Sequence, residues 1–119
     1  MLSVLIVEDD YFIAGDHRAV FEDIGWRVIG PAPSVREALN LLSADTPTMA
    51  VLDMQLGPEM VTPVAVELQT RKIPFVVASG LSDLVAAGGE VFREVPNLGK
   101  SLDPDSIKRQ VGKFREGKT

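Results

Sequence analysis

The run Val4-Leu5-Ile6-Val7 is apolar at every position rather than at every second one. Successive side chains of a strand point to opposite faces of its sheet, so such a strand has to be covered on both. Strands covered in that way belong mostly to parallel sheets, whose crossover connections lay helices over each side. Similar runs return at Met49 to Asp53 and at Pro74 to Ala78, with a shorter one at Trp26 to Gly30. A fifth strand is expected to run to about Leu98 and to end in Gly99-Lys100.

Helical signals fill the intervals. Tyr11 to Ile24 predicts a helix stopped by Gly25, with Ile13, His17, Val20 and Ile24 as its inward stripe. Pro31-Ala32-Pro33 turns the chain, and Ser34 with Glu37 forms a capping box ahead of the stripe Val35, Ala38, Leu39 and Leu42. Thr62 is expected to cap a third helix with Pro63 in its first turn, and Val64, Ala65 and Leu68 to face inward. Leu81 to Ala87 has room for only about two turns before Gly88-Gly89 and is expected to be the loosest element. Asp103-Pro104 opens the last helix, with Ile107, Val111 and Phe114 as its stripe. Strands alternating with helices predict an α/β fold: a doubly wound, five-stranded parallel sheet of flavodoxin type, with the order 2-1-3-4-5 of that class.

Composition excludes several functions. The 119 residues suit one domain, and no output domain is expected beside it. A net charge of -5 with scattered basic residues argues against a nucleic-acid partner, because phosphate binding needs clustered Lys and Arg. Lys108, Arg109, Lys113 and Arg115 on the last helix are read as a solvated face. No apolar run approaches a bilayer span, and no basic segment precedes the first run as in a signal peptide. Without cysteine there is neither a disulfide framework nor a thiolate metal site, and a cytoplasmic protein with no membrane partner is the expectation. His17 is read as a packing residue, since no second His or Cys is available to share a metal with it.

The strand ends carry the chemistry. Glu8, Asp9 and Asp10 follow the first strand, Asp53 the third, Ser79 the fourth and Lys100 the fifth, whereas the edge strand ends in nothing reactive. Ligands of open parallel sheets bind outside the carboxyl ends of the strands. Carboxylates converging there repel one another unless a cation sits among them, and an oxygen-only donor set suits Mg2+. Glu8, Asp9, Asp53 and the backbone carbonyl of Gln55 are the candidate metal ligands. Asp53 is the candidate nucleophile for a phosphoryl group, with Ser79 to hydrogen-bond one phosphoryl oxygen and Lys100 to pair with another. Taken singly, Asp53 would cap a turn before Gly57-Pro58, Ser79 would be a loop residue and Lys100 a surface charge; their weight comes from convergence.

In this order the motifs Val4-Leu5-Ile6-Val7-Glu8-Asp9-Asp10, Val51-Leu52-Asp53-Met54, Ala78-Ser79-Gly80 and Lys100 resemble a response-regulator receiver domain, the phospho-accepting half of two-component signalling, over the whole chain. Leu52 to Gly57, Pro63-Val64-Ala65 and Ile73 to Gly80 resemble more narrowly the single-domain receivers with a Pro-Phe-x-Phe-Ala-Thr-Gly-Tyr signature, which are associated with general stress signalling and atypical sensor kinases. Here Val77 stands for the second Phe, Ser79 for Thr and Leu81 for Tyr. The resemblance implies a stand-alone phospho-acceptor rather than an enzyme. It would take a phosphoryl group on Asp53 from a sensor histidine kinase or phosphotransfer protein, with Mg2+, and lose it slowly by its own hydrolysis. A downstream protein target, a phosphorelay or a phosphate sink are the outputs such a domain can serve.

Two positions depart from the resemblance. Asn97 stands three residues before the lysine, where receivers usually carry an aromatic switch residue, and Ser101 replaces the usual proline after it. A switch would then be sought in Leu81 to Val95. The alternatives are a pseudo-receiver that only binds proteins, which an intact acid, hydroxyl and lysine set argues against, and a phosphatase of the haloacid dehalogenase kind. The latter needs a second Asp two residues after the nucleophile, where this chain has Gln55.

Overall fold

Val4 and Ile6 of β1 (Ser3–Val7) enter one core and Leu5 and Val7 the other, as an uninterrupted apolar run requires. The computed structural model describes residues 2–100 and 102–117, apart from the side chains of 111 and 113–117. β1 pairs in parallel with β2 (Arg27–Ala32) on one side and with β3 (Met49–Leu52) on the other. A short hairpin of β4 (Gln55–Leu56) and β5 (Glu59–Met60) follows, and β6 (Phe75–Val77) then pairs in parallel with β3. The sheet order is β2-β1-β3-β6.

Helices cover both faces. On one, α1 (Tyr11–Asp23) and the start of α5 (Pro104–Gly117) enclose Val4, Ile6, Met49, Val51 and Val76 with Phe21, Trp26 and Ile107. On the other, α2 (Val35–Ala44), α3 (Thr62–Thr70), α4 (Leu84–Gly88) and a 3-10 turn at Glu90–Phe92 bury Leu5, Val7 and Leu52 beneath Leu42, Leu68 and Phe92. This is the doubly wound α/β arrangement predicted from the alternation of elements.

Several local expectations are corrected. The fifth strand reduces to one parallel bridge, Val77 to Asn97, held by Val77 N–H to Pro96 O and Leu98 N–H to Val77 O, each 2.8 Å. Pro96 has no N–H to extend the ladder, and Gly99 at φ +82 turns the chain out of the extended conformation. β2 runs past Gly30 through Pro31 to Ala32 instead of stopping; the pairing with β1 shifts register there, between Leu5 and Val7, and an edge strand tolerates proline at such an irregularity. Thr62 does not cap α3; Val61 occupies that place without a side-chain bond, and the Thr62 hydroxyl donates to Gly88 O at 2.9 Å. The buried stripe of α1 centres on Ala14, His17 and Phe21, with Ile13, Val20 and Ile24 at its margins. Ser101 and the side chains of Val111, Lys113, Phe114 and Arg115 lie outside the described residues. Among the described residues, no helix is long and apolar enough to cross a membrane.

Candidate functional site

The chain leaves β1 at Glu8, whose N–H still donates to Ala32 O of β2 (3.0 Å). That bond draws the Glu8 carboxyl down into the sheet end, where it is 2% exposed. Its Oε2 accepts from the Asp10 N–H (3.1 Å), and its Oε1 lies 3.4 Å from the Lys100 ammonium. Asp10 caps α1, accepting from the N–H groups of Phe12 and Ile13 at 3.0 and 3.1 Å. Asp9 is exposed, and its Oδ2 accepts from the Gly57 N–H at 2.8 Å, tying the acidic loop to the hairpin.

Asp53 follows β3 and donates its own N–H to Val7 O (2.9 Å), which holds it beside the end of β1. Its carboxylate is 7% exposed, with Oδ2 3.0 Å from Lys100 Nζ. One oxygen each from Glu8, Asp9 and Asp53 lie within 4.8 Å of one another. Gln55 stands next to them on the hairpin. Val61 N–H donates to Met54 O, so the facing pair Gln55 and Met60 falls at the non-hydrogen-bonded position of the antiparallel ladder, and the Gln55 carbonyl turns away from its hairpin partner.

Ser79 is buried at the end of β6. Its hydroxyl oxygen accepts from the Leu81 N–H at 3.1 Å, and its own N–H donates to Asn97 Oδ1 at 3.0 Å. Asp9, Asp53, Gln55, Ser79 and Lys100 line one open cleft of about 680 Å³, with Glu8 buried beneath it. All six residues singled out in the sequence are thus brought to one edge of the sheet. A neighbouring groove of about 590 Å³ is lined by Glu8, Asp9, Pro31, Pro33 and the exposed rings of Tyr11 and Phe12.

The charge balance of the cluster is uneven. Burial pushes the Glu8 carboxyl up to about 7; the Asp10 N–H and Lys100 oppose this, and the neighbouring Asp53 adds to it. At Lys100, burial acts to lower the ammonium's pKa, but the carboxylates of Asp53 and Glu8 outweigh it and hold the group above its ordinary value. The ammonium therefore pairs with two of the three carboxyls, Glu8 and Asp53, and leaves Asp9 to the Gly57 N–H. The oxygen donors of Glu8, Asp9 and Asp53 fit a hard divalent cation, which would relieve that repulsion. His17 stands apart from the cluster: Nε2 is 3.0 Å from Lys100 O and the ring is buried in the core, the packing role expected of it.

Sequence reasoning missed two parts of the site. The hairpin that presents Gln55 had a signal, two residues Gly57-Pro58 between short runs, with Gly57 at φ +59 as the first position of such a turn requires. The bonds of Asn97 to Ser79 and Leu81 had none, because those partners come from another loop.

Comparison with known proteins agrees with this fold. No family model matches the chain. The transcriptional regulatory protein PdtaR of Mycobacterium tuberculosis is 29% identical over 95% of the chain, which spans 58% of that relative's length. The solution structure of BeF3-activated SdrG from Pseudomonas melonis Fr1 is 32% identical, with a TM-score of 0.75 over 92% of each chain. The signal receiver domain of a modulated diguanylate cyclase from Desulfovibrio desulfuricans G20 is 25% identical, with a TM-score of 0.83 over 99% of this chain and 97% of that one. The chain belongs with the response-regulator receiver domains. Its receiver fold keeps the parallel order of four strands and leaves the fifth position as a single bridge.

Proposed function

We propose that this receiver domain accepts a phosphoryl group on Asp53 from the phosphohistidine of a sensor kinase or phosphotransfer protein. The observation that carries the proposal is the Asp53 carboxylate itself, 3.0 Å from the Lys100 ammonium and within the oxygen cluster of Glu8 and Asp9. An Asp53 oxygen attacks phosphorus, the P–N bond breaks, and its electron pair leaves on the imidazole, which takes up a proton; an acyl phosphate forms. Lys100 pairs with one phosphoryl oxygen as charge shifts onto it, and the Ser79 hydroxyl donates to another. Glu8, Asp9, Asp53 and the Gln55 carbonyl would hold Mg2+, which would supply charge neutralisation at the phosphoryl oxygens. Water later attacks phosphorus, returns inorganic phosphate and restores Asp53, slowly and without an external substrate.

The receiver domain acts through a partner that it docks on, relays phosphate to or drains phosphate from. Its place beside the single-domain receivers of the Pro-Phe-x-Phe-Ala-Thr-Gly-Tyr kind is supported by Pro74-Phe75 and Ala78-Ser79-Gly80. The test is intact-protein mass spectrometry after incubation with acetyl phosphate and Mg2+. One added phosphoryl group is expected on the wild type, and none on Asp53→Ala or in the presence of a chelator. A wild type that stays unmodified with acetyl phosphate and with purified phosphorylated kinases would move the assignment to a pseudo-receiver.

A further inference from the structure

Asn97 occupies the single bridge that remains of the fifth strand, and its side chain makes three hydrogen bonds. Oδ1 accepts from the Ser79 N–H (3.0 Å) and the Gly99 N–H (3.1 Å), while Nδ2 donates to Leu81 O (2.9 Å). Two N–H groups on one side and a carbonyl on the other suit a carboxamide in one orientation only. An aromatic ring here could make none of these bonds. The amide therefore joins the loop after β6, which carries Ser79, to the loop that carries Lys100 directly after Gly99.

The consequence for the site is chemical. The Ser79 oxygen accepts from the Leu81 N–H at 3.1 Å, so one of its two lone pairs is engaged and its own proton remains to be donated. The Leu81 carbonyl bound by Asn97 belongs to the same residue whose N–H holds that hydroxyl, so one amide fixes the backbone on both sides of the Ser79 oxygen. The Asn97 bond to Gly99 fixes the left-handed turn at φ +82 from which the Lys100 side chain sets out toward Asp53. Among the described contacts, Asn97 has no bond to Glu8, Asp9 or Asp53.

We infer that Asn97 is a positioning residue, which holds the Ser79 hydroxyl and the Lys100 ammonium in register for the phosphoryl group on Asp53. This rests on the phospho-acceptor reading. Loss of the amide would cost the alignment of both groups and leave the metal ligands in place, a change in chemistry without a change in cation binding.

The experiment compares wild type, Asn97→Ala, Ser79→Ala and the double variant for the rate of loading by acetyl phosphate, beside Mg2+ titrations and amide hydrogen exchange. Asn97→Ala is expected to load about tenfold more slowly. In the double variant the two losses should fall short of multiplying, because Asn97 acts partly through the Ser79 hydroxyl. Mg2+ affinity should stay within about twofold of wild type, and exchange at the Ser79 and Gly99 amides should quicken. Wild-type loading by Asn97→Ala, losses that multiply in full, or a parallel collapse of Mg2+ affinity would each overturn the inference. A wild type that takes no phosphoryl group from any donor would defeat the phospho-acceptor reading and this role with it, while amide exchange would still report whether the clamp exists.

Discussion

His17 is the only histidine of the chain and lies buried against the core, its Nε2 3.0 Å from Lys100 O. Burial disfavours the imidazolium and holds its pKa below the ordinary 6.5, with the Lys100 carbonyl acting the other way. Below that ordinary value the unfolded chain takes up a proton that the folded chain refuses. The contribution of His17 to stability is therefore intact above it and is lost as the pH falls. Urea midpoints measured between about pH 7.5 and about pH 5.5 should show the wild type losing more stability over that interval than His17→Gln. Equal losses would place the titration elsewhere. This residue was legible in sequence as a packing histidine, since helical spacing put it on the inward face of α1; its tie to the Lys100 loop was not.

At the scale of elements, α4 is only five residues long and depends on what it touches. Asp83 caps it through the Ala86 N–H (3.0 Å), and Thr62 of α3 binds Gly88 O at its far end. Gly88 leaves no room: a Cβ there would come within 2.6 Å of the Phe92 ring and 2.8 Å of the Met54 terminal methyl. Gly88→Ala should destabilise the fold by about 1–3 kcal/mol in urea unfolding, the range of an overpacked core, by displacing Phe92 from the cluster with Phe75 and Leu84. The short helix was expected from Gly88-Gly89, whereas the contacts that make glycine necessary come from the Phe92 ring and from Met54, far earlier in the chain. Thr62 shows the same limit, because a hydroxyl next to a proline reads as a cap until a distant carbonyl claims it.

Across the molecule the charge is distributed against the site. A chain of net charge -5 brings three carboxyls and one ammonium together, with Glu8 almost fully buried among them. A cation that binds only the folded state raises stability by mass action, so millimolar Mg2+ should raise the urea midpoint and sodium chloride of equal ionic strength should not. Glu8→Gln should remove most of that rise and weaken Mg2+ binding in calorimetry by about tenfold or more. A full rise in the variant would take Glu8 out of the ligand set. The layered α/β fold and the convergence of the six candidate residues were readable in the chain, because runs of apolar residues are local and the candidate side chains follow or flank strand ends. Tertiary structure alone decided which loops are joined. Asp9 reaches Gly57 across 48 residues, Ser79 meets Asn97 across 18 and Lys100 meets Glu8 across 92. Such hydrogen bonds depend on the direction of single N–H and C=O groups in folded loops, which no local pattern of residue types encodes.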